Sequence, residues 1–180
     1  MVMCIDRSQI VPTEYCKWRE RRCWGEVHDE NSGGLGGVSG HAGLFGTADD
    51  LLALADVYMG KTDFLSPEMV KTSVKEYVCA PDGTRRGLGW MLRAQQIGNA
   101  DLVSHCGNLW PIESFGHTGK GRSKMGGNKQ GYTGTSVWCD PVHDTVVVLL
   151  TNRVYHERNP VPIKNLRNQL HTEIYNILNK

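Results

Sequence analysis

The spacing of apolar residues predicts helices in the first half of the chain. Apolar residues recur with helical spacing after Thr47, which suits an N-cap, and this pattern stops at Gly60. A second helix is predicted to begin at Ser66, because Pro67 suits the first helical position, and to run to about Lys75. Both segments carry their own start signals, so their prediction does not depend on distant parts of the chain.

The second half of the chain changes to short apolar segments separated by turn residues, which predict strands. The run 146–150 is continuously apolar, as is typical of a strand buried on both faces. Residues 161–179 return to helical spacing and predict a closing amphipathic helix. Strands that are adjacent in sequence and flanked by helices predict an α+β fold with an antiparallel sheet. The predicted strands are 87–92, the segment around Phe115, 131–138 and 145–150.

Composition and charge argue against two kinds of partner, nucleic acids and the interior of a membrane. The 180 residues are 39% hydrophobic and 22% charged, which is ordinary for a globular protein with a fair core. A net charge of +1 gives no electrostatic argument for nucleic acid binding. The sequence also contains no apolar stretch long enough to cross a bilayer. We therefore predict neither a nucleic acid partner nor a membrane span.

Cysteine and histidine spacing gives no metal-binding pattern. The chain has no Cys-x-x-Cys pair, so the cysteine spacing fits no zinc site. A disulfide framework is typical of shorter secreted chains, so the scattered cysteines are predicted to be reduced. His28 lies in an acidic cluster at residues 26–30, but such clusters are typical of hydrogen-bonded loops, and His41 lacks ligand spacing. Ser39 and Ser136 lie among glycines and are predicted to support the backbone. No metal or cofactor is predicted. The six cysteines are at positions 4, 16, 23, 79, 106 and 139.

Several short blocks occur in one order along the chain. They are Glu-Val-His-Asp-Glu-Asn at 26–31, Gly-His-Ala-Gly-Leu-Phe at 40–45 with Thr-Ala-Asp-Asp at 47–50, Leu-Gly-Trp at 88–90, Phe-Gly-His-Thr-Gly at 115–119 and Leu-Leu-Thr-Asn-Arg at 149–153. With these blocks, the chain from about Ile10 onward resembles the C-terminal half of the serine β-lactamase and penicillin-binding-protein superfamily. It looks most like the class C-like, β-lactamase-related hydrolases and esterases.

This resemblance implies part of a β-lactamase/transpeptidase-like fold, with the end of the helical region followed by C-terminal antiparallel strands and a terminal helix. Residues 1–86 would form a loop-rich and helical segment, and residues 87–180 the sheet strands and closing helix. The implied reaction is hydrolysis of an ester, amide or β-lactam through an acyl-serine. The substrate of the parent enzyme would be a small molecule or peptide-like, and no cofactor is implied.

The resemblance also implies roles for the His-Thr-Gly box and the residues after it. His117 would face the substrate and assist by hydrogen bonding or proton transfer, and Thr118 would offer its hydroxyl. Gly119 would keep the cleft wall open. The oxyanion would bind the backbone N–H of Lys120, or that of Tyr132 if the intervening residues loop out.

The chain departs from the family pattern in three ways. It contains no Ser-x-x-Lys, the box that holds the nucleophile, and no Tyr-x-Asn. We therefore expect it to be inactive alone and to need an N-terminal half in trans. Residues 120–131 also separate His-Thr-Gly from the following strand, as a surface loop or as retained intron sequence. The alternatives are a non-enzymatic, β-lactamase-like binding or assembly module, and a decayed or mis-predicted product without a stable fold.

Overall fold

The computed structural model describes residues 6–95, 104–119, 133–156 and 163–180. Within it the chain divides into two compact units, each assembled from three stretches of sequence. The division predicted from the sequence, into residues 1–86 and 87–180, is of a different kind, because it follows the order of the chain. It stays a prediction. Unit 1 comprises Met1–Thr47, Gly119–Thr135 and Leu150–Val161, and unit 2 comprises Ala48–Thr118, Ser136–Leu149 and Pro162–Lys180.

Helices and antiparallel strands together confirm the predicted α+β class. The helices are α1 (Glu30–Gly34), α2 (Ala48–Tyr58), α3 (Pro67–Val74) and α4 (Ile163–Leu178). The strands are β1 (Tyr15–Cys16), β2 (Arg21–Arg22), β3 (Val78–Cys79), β4 (Arg85–Arg86), β5 (Met91–Leu92), β6 (Phe115–Thr118), β7 (Ser136–Asp140) and β8 (Thr145–Leu149).

The predicted helices form where their local signals place them. Ser66 caps α3 by accepting a hydrogen bond from the backbone N–H of Met69 at 3.2 Å, and Pro67 opens the helix. α2 starts directly after Thr47, and Gly60 lies just beyond its end with a φ of +71°, a left-handed conformation that favours glycine. These helix predictions are confirmed.

Unit 1 contains a small hairpin and a glycine-rich segment. β1 pairs with β2 in antiparallel fashion. The guanidinium of Arg19 follows β1 and donates to the carbonyl oxygens of Val27 at 2.7 Å and Asp29 at 3.2 Å. Asp29 caps the five-residue helix α1, with which the glycine-rich segment begins. Arg19 therefore links this segment to the hairpin by hydrogen bonds.

Unit 2 contains an antiparallel sheet in the order β3-β4-β5-β6-β7-β8. The sheet begins earlier than predicted, because β3 and β4 flank the turn at residues 81–83. The predicted strand 87–92 was wrong at its start, since only Met91–Leu92 is a strand. The backbone N–H of Gly87 donates to the carbonyl oxygen of Trp90 at 2.9 Å, and Gly89 has a φ of +77°. Leu88 and Gly89 thus form the turn between β4 and β5.

The two faces of this sheet pack against different helices. On one face, Ala55 of α2 packs in a cluster with Trp90 and Phe115. On the other face, Trp138 packs with Met91, and α4 adds partly buried side chains to that cluster. Because side chains alternate along each strand, both faces of β7 are filled, and burial of such side chains stabilises by about 1.5–3 kcal/mol each. Trp90 and Trp138 both lie in the core, at 8% and 0% exposed.

The strand predicted over 145–150 packs on both faces: Val146 and Val148 pack against the cluster that contains Phe115, and Val147 packs against the cluster that contains Trp138. It is less buried than the apolar run predicted. Every residue of β8 is partly exposed, and Leu150 is 45% exposed. The fully buried strand is β7, whose five residues all lie in the interior. The reason is sheet order: β7 lies between β6 and β8, whereas within the described ranges β8 pairs with β7 alone.

Candidate active site

β6 contains His117 and Thr118 of the His-Thr-Gly box and determines the direction of their side chains. Phe115 is 2% exposed and packs in the core, whereas His117, two residues later on the same face, is exposed. The strand is paired on both sides, with β5 and with β7. Among these pairs, His117 lies opposite Val137. The sheet therefore presents one imidazole at the surface, from a strand that pairs with β7 at His117 and with β5 just before it, at Phe115 and Gly116.

The surroundings of His117 favour its neutral form. The neighbouring protein removes part of the ring from water, and this lowers the pKa of His117 below its usual value. The positive charge of Arg86 lowers that pKa further, and a backbone hydrogen bond at Thr118 partly opposes both effects. Water still reaches the ring, since the residue is exposed. At neutral pH the imidazole is therefore neutral and able to accept a proton.

The titration of His117 tests this environment. We expect the His117 pKa, followed by NMR of the imidazole C–H signals, to lie below the value for the same residue in the urea-unfolded chain. Arg86→Gln removes one of the two lowering effects, so it should raise the His117 pKa part of the way to that reference. A folded-state pKa equal to or above the unfolded value would contradict this description.

Thr118 points to the opposite face of the sheet from His117. It is 1% exposed, and its hydroxyl lies 3.8 Å from the Met91 sulfur. The predicted contact between this hydroxyl and a substrate stays a prediction, and it requires the hydroxyl to become accessible. In this structure Thr118 contributes to the packing that holds β6 in the sheet.

The residues after Thr118 are described only in part. Gly119 is exposed, and its backbone N–H donates to the carbonyl oxygen of Thr135 at 3.1 Å. Its predicted role in keeping the cleft wall open stays a prediction. Lys120 and Tyr132, the two alternatives for the oxyanion donor, lie outside the described residues, as does the segment 120–131 between them.

The structure gives each of two histidines in unit 1 a carboxylate neighbour that sequence spacing did not indicate. His28 Nε2 lies 3.0 Å from Glu14 Oε1, and His41 Nε2 lies 3.0 Å from Asp29 Oδ1. The partners are far apart in sequence, and the glycine-rich segment brings the second pair together. Ser39 lies beside His41, so this group contains a hydroxyl as well.

No metal site or membrane span emerges from the part of the chain that the structure describes. Across those residues, no three histidine, cysteine or acidic side chains lie close enough together to hold a metal ion. None of the described helices combines the length and the apolar character that a bilayer-spanning helix needs. The five described cysteines are all free thiols.

Comparisons with known proteins agree on one family. A family model described as beta-lactamase matches residues 6–170. Putative D-alanyl-D-alanine carboxypeptidases from Salmonella paratyphi B, Salmonella newport and Salmonella heidelberg are each 33% identical over 138 residues. These residues make up 75% of this chain and 28% of each relative, so the chain spans little more than a quarter of their length.

A solved structure supports the same fold. The crystal structure of a beta-lactamase from Mycobacterium bovis matches with a TM-score of 0.50 and 19% sequence identity. The match covers 74% of this chain and 46% of that one. At this identity the likeness shows the fold alone. Together these findings confirm the resemblance and the partial β-lactamase-like fold predicted from the sequence blocks.

Proposed function

The chain belongs to the beta-lactamase family, and on this premise we propose that it supplies the His-Thr-Gly wall of a serine hydrolase active site. The chain is of the serine-hydrolase-like kind. The observation that carries the proposal is the position of His117, exposed on a strand that is paired on both edges. A rigid strand holds a side chain in one place, as a residue beside a reacting bond requires.

The proposed reaction is acyl transfer to a serine. Such a reaction needs a nucleophile, a group that takes its proton, and donors that stabilise the oxyanion. A serine hydroxyl attacks the carbonyl carbon of an ester, amide or β-lactam, and the acyl-serine is then hydrolysed by water. In this proposal His117 hydrogen-bonds the substrate or assists proton transfer, which its neutral state at pH 7 favours.

The nucleophile of this site is proposed to come from outside the 180 residues. No serine in the chain is followed three residues later by lysine, and no tyrosine is followed two residues later by asparagine. We propose that the chain is inactive alone and acts with an N-terminal half supplied in trans. The names of the relatives add a peptide ending in D-alanyl-D-alanine to the substrates worth testing.

Alone, the chain should show no sustained turnover of a chromogenic β-lactam, a p-nitrophenyl ester or a D-alanyl-D-alanine peptide. Adding an N-terminal half that carries Ser-x-x-Lys and Tyr-x-Asn should produce turnover. In that mixture His117→Ala should lower kcat/KM by about 10²-fold, the usual contribution of a positioned proton-transfer group. His156→Ala removes another exposed histidine and serves as the matched control.

Two outcomes would contradict the proposal. Sustained turnover by the purified chain, lost both on treatment with a covalent serine reagent and in His117→Ala, would show that these 180 residues already hold the nucleophile of the His117 site. Equal kcat/KM for His117→Ala and His156→Ala in the active mixture would remove His117 from the site. Binding of the N-terminal half without any turnover would instead favour the non-enzymatic binding or assembly module.

A further inference from the structure

The glycine-rich part of unit 1 brings together a carboxylate, an imidazole and a hydroxyl. Asp29 is 5% exposed, and its Oδ1 accepts a hydrogen bond from the backbone N–H of Ser32 at 2.8 Å. The same oxygen lies 3.0 Å from His41 Nε2. On the other side of the ring, His41 Nδ1 lies 3.0 Å from Ser39 Oγ. The three side chains therefore form one hydrogen-bonded line.

A carboxylate, an imidazole and a hydroxyl that are hydrogen-bonded in this order can activate the hydroxyl of a serine. A fixed carboxylate that accepts the N–H of one ring nitrogen leaves the other nitrogen free to take a proton from the hydroxyl. Here Asp29 is held by its role as the cap of α1, so it can orient His41 toward Ser39. We propose that Ser39 is a reactive hydroxyl that accepts an acyl or phosphonyl group from activated esters.

The group is open to reagents on its hydroxyl side. The His41 side chain is 53% exposed and Ser39 is partly exposed. Apart from Ser39 and His41 themselves, no described residue has an atom within 4 Å of a Cβ built on Gly40 between them, which leaves space for an approaching electrophile. The other imidazole–carboxylate pair of this unit is different, because the His28 and Glu14 side chains are only 10% and 8% exposed.

A backbone-supporting role for Ser39 is also visible. Its hydroxyl donates to the carbonyl oxygen of Ala42 at 3.1 Å, as the sequence led us to expect. The single hydroxyl proton thus has two acceptors, Ala42 and His41. A purely supporting serine would react no faster than any other surface serine, whereas a serine activated by His41 would be modified selectively.

The proposed step is a balanced displacement. Ser39 Oγ attacks the carbonyl carbon of the ester while its proton passes to His41 Nδ1. The bond from that carbon to the leaving oxygen then breaks, and the leaving group departs with the proton from Nδ1. The carboxylate of Asp29 stabilises the transient imidazolium. With a fluorophosphonate the new bond is from Oγ to phosphorus, and the fluoride leaves.

A fluorophosphonate probe tests the inference on the full chain. We expect one adduct per chain by intact mass, located on Ser39 by peptide mapping and absent from Ser39→Ala. His41→Asn cannot act as the base, so it should slow labelling by about 10²-fold. Ser73 is the internal control, because it is also a serine outside the core and its hydroxyl donates to the carbonyl oxygen of Met69 at 2.8 Å.

The difference in labelling rate between the native chain and His41→Asn separates activation by His41 from the reactivity of an ordinary surface serine. No adduct on Ser39, or an adduct formed at the same rate in His41→Asn, would overturn the inference. Covalent labelling of one equivalent is distinct from sustained turnover, so failure here leaves the proposed role of His117 untouched, and the reverse also holds.

Discussion

Purified alone, the chain should elute as a dimer or a larger particle and should melt over a broad range. The reason is the outer edge of β8, with which no other strand pairs in the part of the chain that the structure describes. The strand Thr-Val-Val-Val-Leu contains neither a charged residue nor a proline. Charged residues and prolines are what usually prevents an edge strand from pairing with another chain. Its partly exposed side chains would gain burial by such pairing.

A charge at the end of this strand should reverse the association. Leu149 is the last residue of β8 and is partly exposed, so Leu149→Lys places an ammonium group at the pairing edge. Leu150→Lys is the matched control, because this neighbour lies just beyond the strand and is already 45% exposed. Size-exclusion chromatography with light scattering should show a shift toward monomer for Leu149→Lys and little change for Leu150→Lys.

Because the outer edge of β8 is unpaired in the described residues, we also expect the N-terminal half to stabilise the chain. A strand from that half would satisfy the free N–H and C=O groups of β8, so the mixed complex should be discrete and should melt cooperatively. A sharp cooperative melt and a monodisperse monomer for the chain alone would show that it completes its own core. That result would remove the need for a partner from the proposed function.

The helices were the most predictable elements because their signals are local. Ser66 and Pro67 define the start of α3, and Thr47 and Gly60 bracket α2, so a short window of sequence contains the necessary information. The two-residue strands β3 and β4 were missed, because segments this short show no period. The partial exposure of β8 was missed for another reason: it depends on which strands lie beside β8, and sheet order is not a local property.

The site was only partly predictable, because its geometry depends on contacts between residues that are distant in sequence. Strand alternation places His117 and Thr118 on opposite faces, but which face is open depends on packing from distant residues, including Met91 against Thr118. The line from Asp29 through His41 to Ser39 had no sequence signal. The backbone between Asp29 and Ser39 passes through Gly36 and Gly37, whose φ values of +91° and +89° lie in the left-handed region. The pattern of apolar and polar residues does not predict the direction in which the chain leaves such positions.

Gly116→Ala should destabilise the sheet more than any other single methyl addition discussed for this chain. Gly116 lies opposite Trp138 in the pairing of β6 with β7. A Cβ built on it would lie 2.3 Å from the carbonyl oxygen of Val137 and 2.5 Å from the Trp138 ring. The oxygen belongs to the backbone of a buried strand and the ring is 0% exposed, so neither can move aside without disturbing the core. We expect the free energy of unfolding to fall by about 3 kcal/mol or more.

The measurement is urea unfolding, with both variants made in the Leu149→Lys background so that association does not obscure the transition. Gly34→Ala is the matched control, because no described atom outside its chain neighbours and the backbone of α1 lies within 4 Å of a Cβ built there, and its effect should stay within about 0.5 kcal/mol. A lower midpoint at an unchanged slope for Gly116→Ala would report lost stability. Equal midpoints for the two variants would mean that Trp138 does not cover Gly116. The pairing that presents His117 on the open face of β6 would then be wrong as well, because a one-residue slip exchanges the two faces of a strand.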